Sequence, residues 1–354
     1  MKVLITGICG FAGYQIATQW LKSDSGVEIV GMDNLIRSGS ETNRASLRKM
    51  GVRFFHGDIR NTSDFEAIPD VDWVIDCAAN PSVLAGLDGK SSSRQLMEHN
   101  LAGTVEILEF CRRSKAGLIL LSTSRVYSVE PLASLPVQVS GRRFVIDESA
   151  SAVQGITPQG IGEEFPALPP QSLYGASKRA AEILALEYGS AFDFPVWIDR
   201  CGVMAGAGQF GKIDQGIVSY WIHSHRAKQP LRYIGFGGNG YQVRDFFHPN
   251  DLIPLFAKQT SCTDRSIPRI VNLGGGEANS LSLAELTDWC DDRFGKHEVT
   301  ASPEIRPFDI PWVVMDSSNA ERYWGWKPET TCENLLEEIA KHAERNPDWL
   351  SLTQ

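Results

Sequence analysis

From Val3 to Arg200 the chain alternates short apolar runs with longer stretches whose apolar residues recur every three or four positions. The short runs, closed by Gly, Asp or Asn, read as strands covered on both faces, and the longer stretches as helices laid across them. Strands are predicted at Val3–Thr6, Val27–Met32, Val52–His56, Trp73–Cys77, Leu118–Leu121 and Val196–Asp199. Helices are predicted near Ala12–Leu21, Ser93–Arg112 and Tyr174–Tyr188. This rhythm predicts an α/β fold built on a doubly wound parallel sheet. Residues 128–171 break it with many Pro, Gly and Ser residues and read as an insertion near the active site. Ser91-Ser92-Ser93 reads as a helix N-cap region. Beyond Arg200 come Gly-rich turns, a helix near Asp214–Arg226, a strand at Ile270–Leu273 and a closing helix at Cys332–Arg345, which together suggest a smaller C-terminal lobe. The expected division assigns 1–201 and 244–276 to the sheet domain, and 202–243 and 277–354 to a substrate-binding lobe.

Composition narrows the chemistry. With 354 residues, 42% of them hydrophobic, the chain can bury a large core. A net charge of -9 argues against nucleic acid as a partner, because affinity for a phosphate backbone rests on clustered Lys and Arg. The seven cysteines are scattered without a CxxC pair, as suits free thiols in a reducing compartment. The run at Val3–Ile5 is too short for the core of a secretion signal, and no window approaches the roughly 20 apolar residues of a membrane helix. The expected location is the cytoplasm, with no membrane partner. His223 and His225 have the spacing of a helix surface and not of a ligand set, so no metal is expected.

Gly7, Gly10 and Gly13 form a GxxGxxG turn directly after the first strand, with Phe11 and Ala12 opening the helix that follows. Glycines there permit a tight turn and the close approach of a pyrophosphate to backbone N–H groups, the hallmark of a Rossmann-type nucleotide site. Asp33, followed by Asn34, ends the second strand 20 residues after Gly13. A carboxylate at that point accepts hydrogen bonds from the adenosine ribose and repels a 2'-phosphate, so NAD is the expected cofactor. Asp58 and Ile59 follow the third strand where adenine could lie. Ala78 and Ala79 follow the fourth, where small side chains let backbone approach a cofactor.

Tyr174-Gly175-Ala176-Ser177-Lys178 sets a phenol and an ammonium one helical turn apart. A tyrosine with an ordinary pKa near 10 is a poor base at neutral pH, and a neighbouring cation stabilises its phenolate. Leu121-Ser122-Thr123-Ser124-Arg125-Val126-Tyr127 places hydroxyls at a strand's carboxyl end, where α/β enzymes bind ligands.

Taken with Asp33-Asn34-Leu35, Gly57-Asp58 and Gly325-Trp326-Lys327-Pro328, these motifs resemble the extended short-chain dehydrogenases/reductases across nearly the whole chain. The resemblance implies Thr123, Tyr174 and Lys178 as catalytic residues, with Ser122 and Ser124 as supporting hydroxyls. Asn100 joins the cofactor set. Ser82, Ser124, Arg125 and Gln209 join the substrate set, and Arg244 and Arg306 are expected to contact the nucleotide diphosphate or ribose.

Dehydratases of that family carry an Asp-Glu pair after the catalytic Thr, where this chain has Ser124-Arg125. The segments Gly208-Gln209-Phe210 with Asp214-Gln215-Gly216, Gln242-Val243-Arg244-Asp245 and Asn272-Leu273-Gly274 resemble the tyvelose epimerase branch. That branch implies NAD-dependent inversion at C2 of a CDP-linked deoxyhexose. The alternatives are a C4 epimerase or other redox enzyme acting on a UDP- or GDP-sugar, and a non-catalytic dinucleotide-sensing protein. Helices 93–112 and 174–188 carry apolar residues on more than one face, and the resemblance implies that copies of the chain pair through them as a homodimer or homotetramer.

Overall fold

The computed structural model describes the chain apart from Asp88, Lys90, Ser91, Asp214, Pro303 and Gln354 and the side chain of Glu148. It divides into two compact units. The first comprises Met1–Val126, Leu173–Arg200 and Pro249–Val271, and the second Tyr127–Ser172, Cys201–His248 and Asn272–Gln354.

The first unit is organised by seven strands: β1 (Lys2–Thr6), β2 (Glu28–Asp33), β3 (Arg53–His56), β4 (Trp73–Asp76), β5 (Gly117–Thr123), β6 (Val196–Cys201) and β7 (Ile270–Leu273). Their order, β7-β6-β5-β4-β1-β2-β3, is that of a doubly wound sheet, with parallel pairing from β3 through β2, β1 and β4 to β5. The chain direction of strand addition reverses between β1 and β4, and such a switch point opens a crevice at the carboxyl ends of the strands. Continuous burial of Val3–Thr6, Trp73–Asp76 and Gly117–Ser122 explains why these runs do not alternate: helices cover both faces. Leu4, Val74 and Leu118 join Ile107, Phe110, Ala181 and Ala185 in one core cluster, which ties the helices to the sheet. Helix Leu173–Phe192 carries Tyr174 and Lys178. The predicted helix 93–112 is divided into Ser93–Met97 and Gly103–Ser114 by a π-helical turn at Glu98–Ala102, a distortion frequent at functional sites. Helices Glu41–Lys49 and Ile253–Ser261 were not anticipated from the pattern.

The second unit holds a small sheet of strands Val203–Met204, Val243–Phe247, Ser280–Ser282 and Trp312–Val313. Helices Ile217–Arg226, Leu283–Phe294 and Cys332–Arg345 pack around Trp221, Leu286, Cys290 and Ile339. A capping box between Ser282 and Glu285 starts the second of these helices. Residues 128–171 are not a bare loop: they hold a helix at Val129–Ala133 and two hairpins, Val137–Ser140 with Arg143–Ile146 and Ile156–Thr157 with Gly160–Ile161. Long-range bonds within the unit order this segment. The Phe144 amide donates to the Tyr241 carbonyl (2.9 Å), and the Thr157 hydroxyl to Asp316 (2.6 Å). Among the described residues no helix is long and apolar enough to cross a membrane.

Candidate active site and cofactor cradle

In the first unit β1 ends in a glycine turn whose shape excludes side chains. Gly7 has φ +63°, and a Cβ there would lie 2.9 Å from the Ala78 backbone; one on Gly13 would lie 2.5 Å from the Gly7 carbonyl oxygen. The turn thus rests on the backbone at Ala78, and Gly13 lets helix Phe11–Ser23 begin directly behind the strand. The first amides of that helix, at Phe11, Ala12 and Gly13, point out of its N-terminus, where an anionic diphosphate is favoured by both their hydrogen bonds and the helix dipole.

Asp33 closes β2 beside this turn. Its carboxylate accepts bonds from the amides of Cys9 (2.9 Å) and Leu35 (2.7 Å), tying the glycine turn to the strand end. Burial raises its pKa against the opposing pull of those amide bonds. With the Gly10 amide as a third donor, the roughly four lone-pair sites of a carboxylate still leave room for a ribose hydroxyl. Asp58 accepts Nε and a terminal nitrogen of Arg60 (2.9 and 2.7 Å) and Nδ2 of Asn34 (2.9 Å). The Arg60 bonds hold its carboxyl far below the usual range despite partial burial. Asn34 and Asp58 line a cleft of about 390 Å³ with Ile36, His56, Gly57, Asn61 and Asp64. Ile59 faces the other way: its side chain lies in the core, and a Cβ on Gly103 would meet it at 2.6 Å. The residues present therefore fit a dinucleotide, with the glycine turn for the diphosphate, Asp33 for a ribose and the cleft for the base.

Tyr174 and Lys178 are both buried, 8% and 3% exposed, on a helix that packs on β5 and on the following turn Ser124–Val126. Thr123 is half-buried at the end of β5, and its Oγ1 accepts the Arg125 amide (3.2 Å). Ser124 and Arg125 are half-buried in the turn. Asn100 sits in the π-helical turn. It exchanges two bonds with the Asn80 backbone (2.8 and 3.0 Å) and donates to Ser177 Oγ (3.2 Å), so it pins the β4 loop to the helix of Tyr174. Ser82, in that loop, receives the Leu84 amide on its hydroxyl (3.3 Å). Burial, reinforced by the charge of Asp76, pushes the Cys77 thiol up, while the Lys178 ammonium opposes the shift, so that cation lies near the end of β4.

Two features escaped the sequence reading. Asp76, buried at the end of β4, accepts the Thr6 hydroxyl (2.7 Å) and the Ala78 amide (3.2 Å), bracing the strands beneath the glycine turn. Its signal was a carboxylate inside an otherwise apolar run. Glu182, four residues after Lys178, is wholly buried and accepts bonds from Ser122, Arg179 and Arg200.

In the second unit the expected substrate residues are partly engaged. Arg244 donates to the carbonyls of Val243 (2.7 Å) and Ile310 (2.9 Å), with Asp309 3.9 Å away. Gln209 donates to the Met204 carbonyl (2.8 Å) and lies against Gly216. Arg306 is half-buried, and its carbonyl accepts the Asp309 amide (3.3 Å). Asp214 of the Asp-Gln-Gly segment lies outside the described residues.

Comparison with known proteins places these features in a family. Residues 3–274 match the NAD dependent epimerase/dehydratase family. A CDP-paratose 2-epimerase of Salmonella typhi is 28% identical over 361 residues, covering 99% of each chain. A UDP-glucuronate 4-epimerase of Thermodesulfobacterium geofontis is 25% identical over 355 residues, 97% of this chain and 96% of its own. The fold matches that of a Bacillus cereus UDP-glucuronic acid 4-epimerase solved with UDP-glucuronic acid and NAD, with a TM-score of 0.78, 24% identity and coverage of 98% and 99%. The glycine turn, the strand order and the family match together make the chain a member of the NAD dependent epimerase/dehydratase family, an NAD-dependent enzyme of nucleotide sugars.

Proposed function

We propose that the protein epimerises C2 of a CDP-linked deoxyhexose, of which CDP-paratose is the type, through a transient keto sugar. The observation that carries this reading is the end-to-end similarity to the Salmonella typhi CDP-paratose 2-epimerase. Ser124-Arg125, in place of a dehydratase's acid pair, supports it. Bound NAD supplies reversible acceptance of hydride. The glycine turn, Asp33 and the Asp58 cleft hold it. Tyr174 takes the proton from the reacting hydroxyl, Thr123 donates a hydrogen bond to that oxygen, and Lys178 holds the nicotinamide ribose and keeps the phenol acidic. Residues 1–201 and 244–276 serve the cofactor in this scheme, and 202–243 with 277–354 the nucleotide sugar, with Arg244 and Arg306 toward its phosphates. The helical segments 93–112 and 174–188 pair copies of the chain, a reading supported by half-exposed Ile183 on the second of them and checked by light scattering.

The test is product NMR after incubation with NAD and CDP-, UDP- or GDP-sugars. Inversion at C2 of the CDP-sugar is expected, with deuterium placed at C2 retained in the product. Loss of label to water would indicate enolisation instead. Inversion at C4 of a UDP-sugar would establish the second reading, which the Thermodesulfobacterium geofontis relative favours. Tyr174→Phe should lower kcat by about 100-fold or more, as loss of a general base does, with NAD affinity little changed.

A further inference from the structure

Tyr174, Lys178 and Glu182 follow one another at four-residue intervals on helix Leu173–Phe192, and all three are buried. Four-residue spacing puts them on one face, about 6 Å apart along the axis at each step. Glu182 is 0% exposed, and every donor it meets comes from the first unit. Ser122 Oγ reaches Oε1 at 2.5 Å. Arg200 grips both oxygens, Nε on Oε1 at 2.9 Å and a terminal nitrogen on Oε2 at 2.7 Å, and Arg179 adds a bond to Oε2 at 2.8 Å. These donors belong to β5, β6 and the helix itself.

Well-packed apolar residues would hold this helix to the sheet as firmly as a buried ion pair. A forked guanidinium–carboxylate pair adds direction, because it tolerates neither sliding nor rotation of one element past the other. Ser122 is the covalent neighbour of Thr123, and Glu182 stands one turn from Lys178 and two from Tyr174. We infer that Glu182, through Ser122 and Arg200, is a positioning residue that sets the height and rotation of Tyr174 and Lys178 against Thr123. This rests on the assignment of those three as the catalytic residues.

The experiment uses the full chain with NAD and the nucleotide sugar it turns over, comparing Ser122→Ala, Glu182→Gln and Tyr174→Phe. Turnover is expressed per NAD-binding site, so that loss of folded protein does not count. Ser122→Ala removes only the tether to β5 and should lower kcat about 10-fold. Glu182→Gln should lower it by about 10- to 100-fold, the scale of an ångström-sized misplacement. In both, KM for the sugar should stay within about 2-fold, and NAD affinity, to which Lys178 contributes, should fall by much less than kcat. If Glu182→Gln does not fold, Ser122→Ala decides. Unchanged kcat in the folded variants, or a loss shared equally with NAD binding, would overturn the inference. Undiminished turnover by Tyr174→Phe would instead remove the catalytic assignment on which it rests, whatever Glu182 does.

Discussion

Glu182 in the first unit and Asp245 in the second are both carboxylates with no exposure to solvent, yet their surroundings treat the charge in opposite ways. Glu182 is surrounded by cations. Burial opposes its ionisation, but Arg200, by bond and charge, and then Ser122 and Arg179 outweigh burial and hold its pKa below the ordinary glutamate value. Among the described residues Asp245 meets backbone amides alone, those of Met315 and Gly276 at 3.1 Å each together with Gly275 and its own, and burial pushes it up to about 7. Neighbouring residues of β6 repeat the contrast. Arg200 pairs with Glu182, whereas Asp199, bonded to Gln259 at 2.8 Å, is pushed up to about 7 by burial. The state of a buried acid is therefore set by the donors its own side chain reaches, because a full opposite charge offsets desolvation and a few amide dipoles do not.

The largest effect should come from breaking the charged node. Arg200→Met leaves Glu182 buried with only Ser122 and the half-exposed Arg179, and should destabilise the protein by about 3–5 kcal/mol in thermal denaturation. Adding Glu182→Gln should recover a large part of that loss. A double variant as unstable as the sum of the singles would mean that the pair is not coupled.

The space around Asp245 gives a smaller handle. A Cβ on Gly274 would lie 2.2 Å from Oδ2 of Asp245 and 2.6 Å from Cβ of Met315. Gly274→Ala should therefore cost about 1–3 kcal/mol, the usual range for overpacking. Equal stability to the parent would show that the node yields where the ion pair does not.

A third handle is a change of pH slope. An unfolded aspartate titrates near 3.9, and in the folded state Asp245 titrates at about 7. Between these values the folded chain binds more protons than the unfolded one, so this group makes stability fall as pH rises from about 4 to about 7, with no further change above. Asp245→Asn should flatten that slope without abolishing it, since Asp199 titrates in the same window. An unaltered slope between pH 4 and 8 would remove Asp245 from the account.

How far the sequence could be read depends on the range of the forces concerned. Strands Ile270–Leu273 and Trp73–Asp76 and helix Cys332–Arg345 were legible because apolar periodicity and flanking Gly, Asp and Thr act within a few residues. Helix Glu41–Lys49 was missed because it is mostly polar, with Leu47 its one buried residue. The hairpins of 128–171 were missed because Pro and Gly hid short strands that depend on partners such as Tyr241.

By itself the sequence determined the glycine turn, the end of β2 at Asp33 and the Tyr174–Lys178 spacing, since local backbone geometry suffices for each. Tertiary structure alone decided that Glu182 would meet Ser122 and Arg200, 60 and 18 residues away, and that Ile59 would turn into the core. It also decided that the Arg244 guanidinium would engage the carbonyl of Ile310, 66 residues on. A buried polar group must find a partner wherever the fold supplies one, and nothing in its own neighbourhood along the chain names that partner.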